Sequence, residues 1–267
     1  MHPIERLRYV ARAEGADPST LVREAAGALA GFADDPDGLV TACRRLVDRH
    51  PAIGPMWWMA ARVLAAADPV AEAWRAADEL DEDPTAGMLA AALPDDASVV
   101  LVGWPEQIVS ALHHRGDIEP LVVHAGGDGL SLVSRLRRGE LDAVPVPDAG
   151  VGAAVAEADV VVLEASAAGP DGFVAQTGSR PAAAMAATVE VPLWVVAGAG
   201  RVLPARLWGA LVSRLAETDL EPWDRPDEVV PWSGVVSVIG PVGAQSVDEA
   251  GRRADCPVSP ELQRGLR

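Results

Sequence analysis

The sequence contains little of what several classes of protein require. Its only two cysteines, Cys43 and Cys256, are too few for a disulfide framework and do not form a CxxC zinc motif. No apolar run approaches the roughly 18 residues that span a bilayer. Residues 1–15 alternate charged with apolar side chains instead of forming a secretory core. We therefore expect a cytoplasmic protein without a metal site or a membrane segment.

Basic residues are also scarce. Lys and Arg total 22 against 39 Asp and Glu, which gives a formal net charge of -17 at pH 7. Binding along a nucleic acid backbone depends on clustered Lys and Arg that displace counterions, so DNA and bulk RNA are excluded as partners. The chain has 267 residues, of which 49% are hydrophobic, and this is enough for two modest cores.

The first third of the chain is predicted to be helical. Four stretches with apolar residues at helical spacing each begin at a proline, at Pro18, Pro36, Pro55 and Pro69. Cys43 falls on an apolar face and is interpreted as a core residue. Trp57 and Trp58 are interpreted as packing between helices and sheet, with stacking on a nucleobase as the alternative. Residues 1–93 are therefore predicted to form a helical domain.

The remaining residues, 94–267, alternate short apolar runs with helix-like stretches. The runs are SVVLVG, EPLVVHAGG, DAVPVP, ADVVVLEAS, VPLWVVAGAG and GVVSVIG. Runs without polar alternation are typical of strands buried on both faces, and interleaved helices indicate parallel strands with right-handed crossovers. The predicted fold class is α/β, an N-terminal helical domain plus a C-terminal Rossmann-like domain with a mostly parallel sheet. Ligands of such sheets bind beyond the carboxyl ends of the strands.

Four stretches carry a family resemblance. They are RHPAIGPMWWMAARVL, LPDDASVVLVGWPEQIVSAL, ADVVVLEASAAGPDGFVAQTGSRP and RADCPVSPELQRG. In this order they resemble an Arg-Pro motif before a helix, a first strand with its loop, a segment reading Gly-Ala-Asp, Asn-Gly and Asn-Lys-x-Gly-Thr, and a closing segment. The chain thus resembles a divergent member of the family of translation initiation factor 2B alpha, beta and delta subunits, methylthioribose-1-phosphate isomerase and ribose-1,5-bisphosphate isomerase.

The resemblance implies a cleft between the two domains that binds a phosphorylated sugar or nucleotide. It also implies no cofactor and a homodimer formed through the C-terminal domain. In the family's isomerases a Cys on the first-strand loop and the Asp of Gly-Ala-Asp transfer the proton. Here those positions fall on Gly103 or Trp104 and on Ser166. Neither can replace the lost group, because Trp has no titratable proton and a Ser hydroxyl needs an activating neighbour.

The other family positions supply candidate ligand-binding residues. Arg49 and His50 stand where the Arg of the proline motif belongs. Asp171 matches the family Asn, although its GPDGF context is also that of a plain turn. Arg201 either supplies the positive charge of the missing Lys or is a surface residue. The Asn-Lys-x-Gly-Thr motif, without its Lys, becomes Gln176, Thr177, Gly178 and Ser179.

Three sites in the sequence have specific expected roles. The helix beginning near Gly178 and Ser179 would offer unpaired amides to a phosphate, or Ser179 merely caps the helix. Glu164 ends a buried strand, where burial would raise its pKa and suit it to acid or base work. Alternatively it pairs with an Arg at the sheet end. Asp128, in HAGGDG, would accept hydrogen bonds from ribose hydroxyls or lie in a plain loop.

Three functions stay open from the sequence. The first is a non-catalytic protein that binds a sugar phosphate or nucleotide. The second is an active aldose–ketose isomerase of a phosphorylated pentose, with Glu164 as base and Ser166 beside it. The third is a structural or regulatory interaction subunit with a vestigial cleft. The sequence favours the first, because the glycine loops and Ser179 are present while the catalytic Cys, Asp and Lys are not.

Overall fold

The computed structural model describes residues 17–263. The predicted ranges 1–93 and 94–267 extend beyond it at both ends, so the expectation about the first fifteen residues lies outside the described part. Helices dominate the described residues up to position 92. They are Pro18–Leu29 (α1), Pro36–Arg49 (α2), Gly54–Ala65 (α3), Pro69–Asp81 (α4) and Thr85–Ala92 (α5).

Three of these helices begin at the Asp-Pro pairs seen in the sequence. Asp17, Asp35 and Asp68 each accept a hydrogen bond from a first-turn amide of α1, α2 and α4, at 3.2, 2.9 and 3.0 Å. The following proline takes a position whose amide would lack a partner in any case. The predicted helix starts are therefore confirmed, since the cap is a purely local interaction.

The first four helices pack around a hydrophobic core that they share with residues of the second part of the chain. Met56, Trp57 and Cys43 are fully buried there, which confirms that Cys43 and the tryptophan pair pack in the core. Burial raises the pKa of the Cys43 thiol to about 12, so this thiol is unreactive. Trp208 from the second part of the chain joins the same cluster.

Helix α5 was missed in the sequence. The acidic stretch 79–87 was interpreted as the end of the last helix of the first part, but α4 ends at Asp81 and a new helix begins at Thr85. Asp83 between them accepts hydrogen bonds from the Thr85 amide and hydroxyl. Leu89 of α5 belongs to the hydrophobic core of the large sheet and not to the core of the first four helices.

A seven-stranded sheet forms the second part of the chain, with strand order β10-β9-β7-β4-β1-β2-β3. Every neighbouring pair is parallel except β10 with β9. This confirms the predicted mostly parallel Rossmann-like sheet. Its strands are Ser98–Val102 (β1), Glu119–Val123 (β2), Val144–Val146 (β3), Val160–Glu164 (β4), Leu193–Val196 (β7), Val235–Gly240 (β9) and Gly243–Gln245 (β10).

Helices cover both faces of this sheet. Those following the strands are Glu106–Leu112 (α6), Asp128–Arg138 (α7), Val151–Glu157 (α8), Ser179–Val189 (α9), Ala205–Ala216 (α10) and Val247–Arg252 (α11). Leu112 of α6 and Leu136 of α7 pack on one face, and Val155 of α8 and Ala182 of α9 pack on the other. The chain runs outward from β1 to β3 and returns to β4 on the other side of β1. The loops after β1 and β4 therefore part and leave a crevice.

A small antiparallel sheet was not anticipated. The segment after β4, interpreted as a glycine turn and loop, is a hairpin of Ala167–Gly169 (β5) and Gly172–Gln176 (β6), and Asp227–Pro231 (β8) pairs with β6. Gly169 lies where a Cβ would be 2.1 Å from the Trp208 ring. The hairpin brings β8, from 50 residues further along, beside the crevice.

Within residues 17–263, the structure contains no helix that combines the length and the apolar character needed to cross a membrane.

Candidate functional site

A cavity of about 580 Å³ lies at the carboxyl ends of β1 and β4, and we call it the first cavity. It sits in the crevice where open α/β sheets bind their ligands. Seven of the residues considered in the sequence line it, and these are Trp104, Asp128, Glu164, Ser166, Gln176, Ser179 and Arg201. The fold thus brings together about half of the predicted site, from five separate segments of the chain.

The other predicted residues lie elsewhere. Thr177 and Gly178 line an adjacent space of about 530 Å³, the second cavity. Asp171 is at the turn of the β5–β6 hairpin and faces a separate surface groove. Arg49 and His50 end helix α2 and are not among the described residues that line the first cavity. Their place in the sequence motif does not carry them to this cleft.

Glu164 is held in an ion pair, as one of the two sequence interpretations expected. Its Oε1 accepts from Arg201 at 2.9 Å, and both side chains are nearly buried, 11% and 7% exposed. Its Oε2 accepts from the amides of Gln107 and Ile108, in the first turn of α6, at 2.8 and 3.2 Å. Arg201 also donates to the Ala165 carbonyl. Both oxygens of this carboxylate are therefore engaged by donors of the protein itself.

The start of helix α9 is already in contact with a carboxylate. Gly178, with φ of 105°, precedes the helix, and the amides of Gly178 and Arg180 donate to Glu228 Oε1 at 2.8 and 2.9 Å. Glu228 lies on β8, opposite Ala175 of β6. These two amides are therefore not free for a phosphate, because the Glu228 charge already benefits from the helix dipole.

Ser179 remains available on the other side of the same helix start. The residue is 2% exposed and lines the first cavity. Its hydroxyl makes no hydrogen bond to the described residues and is not one of their fully buried polar atoms, so it is accessible from the cavity. The hydroxyl therefore faces the cavity with its hydrogen-bonding capacity unused.

Gln176 separates the two cavities and lines both. Its Oε1 accepts from the Trp104 amide at 3.1 Å, and its Nε2 donates to Asp128 at 3.1 Å. Gly103, with φ of 65°, lies where a Cβ would be 1.8 Å from the Gln176 Oε1. A side chain at 103 would have to displace Gln176 and adopt a positive φ, so this position favours glycine.

Three charged residues that line the first cavity were not predicted from the sequence. Arg135, on α7, lies over the Trp104 ring at 5.6 Å. Glu106 begins α6 and Asp227 begins β8, and both line the cavity. Glu106 directly follows the Trp104-Pro105 pair of the first-strand loop, so position alone signalled it. Nothing in the sequence around Asp227 or Arg135 indicates that these residues line a cavity.

Two of these carboxyl groups titrate well above the usual range. Burial, and then the hydrogen bond that its protonated carboxyl donates to Asp17, raise the pKa of Glu106 to about 8. Burial opposes the change at Asp17, but hydrogen bonds from Glu106 and Ser19 outweigh it and hold the Asp17 pKa below its ordinary value. Burial alone raises the pKa of Asp227 to about 6. Glu106 and Asp17 thus share one proton at neutral pH.

The Glu106 shift predicts a pH-dependent stability. Between about pH 4.5 and 8 the folded protein keeps a proton on Glu106 that the unfolded chain has lost. The stabilisation is therefore complete below the unfolded pKa and disappears as pH rises through 8. We expect Glu106→Gln to remove this dependence, which is worth about 1 kcal/mol after discounting for solvent screening.

Urea unfolding at pH 5 and pH 9 measures this difference. The free energy of unfolding should fall between these two pH values by more in the wild type than in Glu106→Gln. Glu119→Gln, at an exposed carboxyl outside the cavity, serves as the matched control and should follow the wild type. An equal fall in all three proteins would contradict the shared proton.

No group of three or more His, Cys, Asp or Glu among residues 17–263 is arranged to hold a metal ion.

Neither a protein-family model nor a curated protein matches the sequence. Similarity is instead found among solved structures. Translation initiation factor eIF-2B from Pyrococcus horikoshii OT3 superposes with a TM-score of 0.76 at 16% identity, over 93% of this chain and 98% of that one.

Two further structures extend the comparison. The eIF2B beta subunit from Chaetomium thermophilum gives a TM-score of 0.75 at 14% identity, over 99% of this chain and 94% of that one. The 5-methylthioribose 1-phosphate isomerase from P. horikoshii OT3 gives a TM-score of 0.63 at 15% identity, over 98% of this chain and 85% of that one. The chain has the factor 2B fold. This confirms, at the level of the fold, the resemblance seen in the sequence.

The factor 2B fold of this chain includes its helical part as well as its sheet, since the matched regions cover nearly all of it. Initiation factor subunits and an isomerase share this fold, so the fold does not decide between binding and catalysis. That choice depends on the residues of the two cavities.

Proposed function

We propose that this protein binds a phosphorylated sugar or nucleotide in the first cavity, as a sensor or regulatory protein and not as an enzyme of the known isomerase mechanism. The observation that carries the proposal is Ser179, whose hydroxyl lines the first cavity at the start of α9 and has no hydrogen-bond partner among the described residues. A phosphate oxygen beside it would accept its hydrogen bond and gain from the positive end of the helix.

The charges of the first cavity fit such a ligand. Arg201 is neutralised by Glu164, whereas Arg135 has no ion pair among the described residues and is free to meet a phosphate. Asp128 and Asp227 line the same space and would accept hydrogen bonds from sugar hydroxyls. One cation with several acceptors suits a molecule with one phosphoryl group and several hydroxyls.

The absence of catalytic groups at the family positions supports binding over catalysis. The family Cys position falls at Gly103 or Trp104, where no thiol is present, and the family Asp position falls at Ser166, whose hydroxyl donates to the Val174 carbonyl at 3.3 Å. Glu164, the base considered from the sequence, is engaged by Arg201 and two amides. We propose that these residues shape the cavity without transferring protons.

An isomerase of a phosphorylated pentose is the second candidate, and one observation favours it. Glu106 and Asp227 line the same cavity, with pKa values of about 8 and 6. A protonated carboxyl and an ionised one would act as acid and base around neutral pH. Such chemistry would replace the family's Cys and Asp with groups from different elements.

Calorimetric titration with ribose 5-phosphate tests the proposal. We expect binding by the wild type and an affinity about tenfold weaker in Arg135→Met, because one charge-assisted contact is lost. Arg138→Met, at an exposed position of the same helix outside the cavity, is the matched control and should bind like the wild type. Equal affinities in the two variants would contradict the role of Arg135.

The same samples separate the alternatives when the sugar is followed by NMR. Conversion to a ketose phosphate would establish the isomerase, and unchanged sugar supports a binding protein. If ribose 5-phosphate does not bind at all, the third function, an interaction subunit with a vestigial cleft, is favoured. One similar structure is the tetrameric eIF2B-beta2-delta2 complex from C. thermophilum. We propose that this chain likewise self-associates, as a homodimer through its sheet-containing part.

A further inference from the structure

A third cavity, of about 360 Å³, lies where β7 and β9 end, between the sheet and the helical part of the chain. In the strand order these two strands stand on the far side of β4 from β1. The third cavity shares no lining residue with the first cavity or the second. What it binds is therefore independent of the proposed function.

The third cavity is preformed, because the Trp58 indole in its wall is fixed. The indole Nε1 donates to the Asp255 carbonyl at 2.6 Å. Gly200, with φ of 69°, lies where a Cβ would be 2.8 Å from the indole ring, so the loop after β7 packs directly against it. Walls that are already in place spare a ligand the entropic cost of ordering them.

Apolar side chains of the third cavity are left in contact with water. Val242 lies in the turn between β9 and β10 and is 60% exposed. Val202, which follows Arg201 in the loop after β7, lines the same space. An apolar ligand group between these two valines would remove their surface from water, which favours binding.

Two carboxylates of the third cavity are already engaged by the protein. The two oxygens of Glu79 accept from Arg62, Oε1 at 2.9 Å. Asp83 accepts from the Ala199 amide at 2.8 Å and from Gln107 at 2.7 Å. The hydrogen-bonding capacity of Glu79 and Asp83 is therefore largely used.

Arg253 and Asp255 bring two further charges to the third cavity, of opposite sign. Both residues are exposed, and neither side chain makes a hydrogen bond or an ion pair with the described residues. A guanidinium binds a ligand carboxylate, and a carboxylate accepts from a ligand ammonium group. Two such groups two positions apart in the chain can hold the opposite charges of one small molecule.

From the fixed indole, the exposed valine and these two charges we infer that the third cavity binds a small zwitterion with an apolar side chain, the chemistry of an apolar α-amino acid. Its carboxylate would accept from Arg253, its ammonium group would donate to Asp255, and its side chain would cover Val242. The volume is at the small end of the roughly 300–1,000 Å³ typical of ligand pockets, which suits such a molecule.

Calorimetry with L-leucine and two analogues that each lack one charge tests this inference on the full-length protein. The analogue 4-methylpentanoate has no ammonium group, and 3-methylbutylamine has no carboxylate. We expect L-leucine to bind and each analogue to bind about tenfold more weakly, because one charge-assisted contact is lost.

Single variants assign each charge of the ligand to its partner. Arg253→Met should weaken L-leucine binding about tenfold and leave 3-methylbutylamine unaffected. Asp255→Asn should weaken L-leucine binding and leave 4-methylpentanoate unaffected. Arg252→Met, at the neighbouring exposed position outside the third cavity, is the matched control and should bind like the wild type. Because all three side chains are exposed, each variant should unfold at the wild-type temperature without ligand.

The outcomes separate this inference from the proposed function. Failure of L-leucine to bind, or binding that Arg253→Met and Asp255→Asn both leave unchanged, overturns the zwitterion site. Neither result bears on the first cavity, since Arg253→Met should leave the affinity for ribose 5-phosphate unchanged. Loss of L-leucine binding in Arg135→Met would place the amino acid in the first cavity and overturn the third cavity as its site.

Discussion

Replacing Arg201 by Met will lower the free energy of unfolding by about 3 kcal/mol, because it leaves the nearly buried Glu164 carboxylate without its cation. Arg201 and Glu164 are 7% and 11% exposed, so water cannot replace the lost partner. The two amides of α6 that bind Glu164 keep the loss at the lower end of the range for buried pairs. Urea unfolding at neutral pH measures it.

Two further variants show whether charge is the cause. Arg23→Met breaks an exposed pair with Asp78 and Asp81, where water screens the charges, and should cost much less than Arg201→Met. The double change of Arg201→Met with Glu164→Gln removes both charges and should recover part of the loss, since no ion remains unpaired. If Arg201→Met and Arg23→Met are equally mild, the pair does not stabilise the junction of β4 with the loop after β7.

Glu228→Gln will change stability and ligand affinity in opposite directions. The Glu228 carboxylate accepts from the amides of Gly178 and Arg180. Its negative charge at the start of α9 contributes about 1 kcal/mol, which the neutral amide of Gln loses. The same charge repels a phosphate that approaches Ser179. Without it, we expect ribose 5-phosphate to bind about tenfold more tightly.

The prediction is specific because Glu228→Gln should lose stability and gain ligand affinity. Thermal unfolding with and without ribose 5-phosphate measures both effects in one experiment. Without ligand, Glu228→Gln should unfold at a lower temperature than the wild type. Addition of ligand should raise the unfolding temperature of Glu228→Gln by more than that of the wild type. Glu261→Gln, a carboxylate of the described residues that lines neither cavity, provides the control and should show no gain. A weaker affinity in Glu228→Gln would mean that Glu228 itself contacts the ligand.

A carboxylate at the start of α9 also changes how the glycine motif is understood. From the sequence, Gly178 and Ser179 predicted a helix start open to an anion. The helix start is present, but a side chain from β8 reaches it first. Residues 178 and 228 are too far apart in the chain for any local pattern to connect them.

The sequence by itself determined most of the helices, most strands of the large sheet and the layer architecture. Asp-Pro caps, Ala-rich helical faces and unbroken apolar strands act over a few residues, so they can be recognised without tertiary contacts. Parallel strands whose carboxyl ends share one edge also follow from the alternation of strands and helices, whereas the strand order does not. These features placed Glu164, Ser166 and Ser179 at one edge of the sheet.

Only the tertiary structure decided the chemistry at that edge. The pairing of Glu164 with Arg201 joins residues 37 positions apart, and the contact of Glu228 with Gly178 joins residues 50 apart. Asp227 and Arg135 reach the first cavity from two further segments of the chain. Hairpin β5–β6, made of small residues without clear alternation, gave no strand signal, yet it positions β8. Electrostatic partners are chosen by proximity in space, and the order of residues in the chain does not encode that proximity locally.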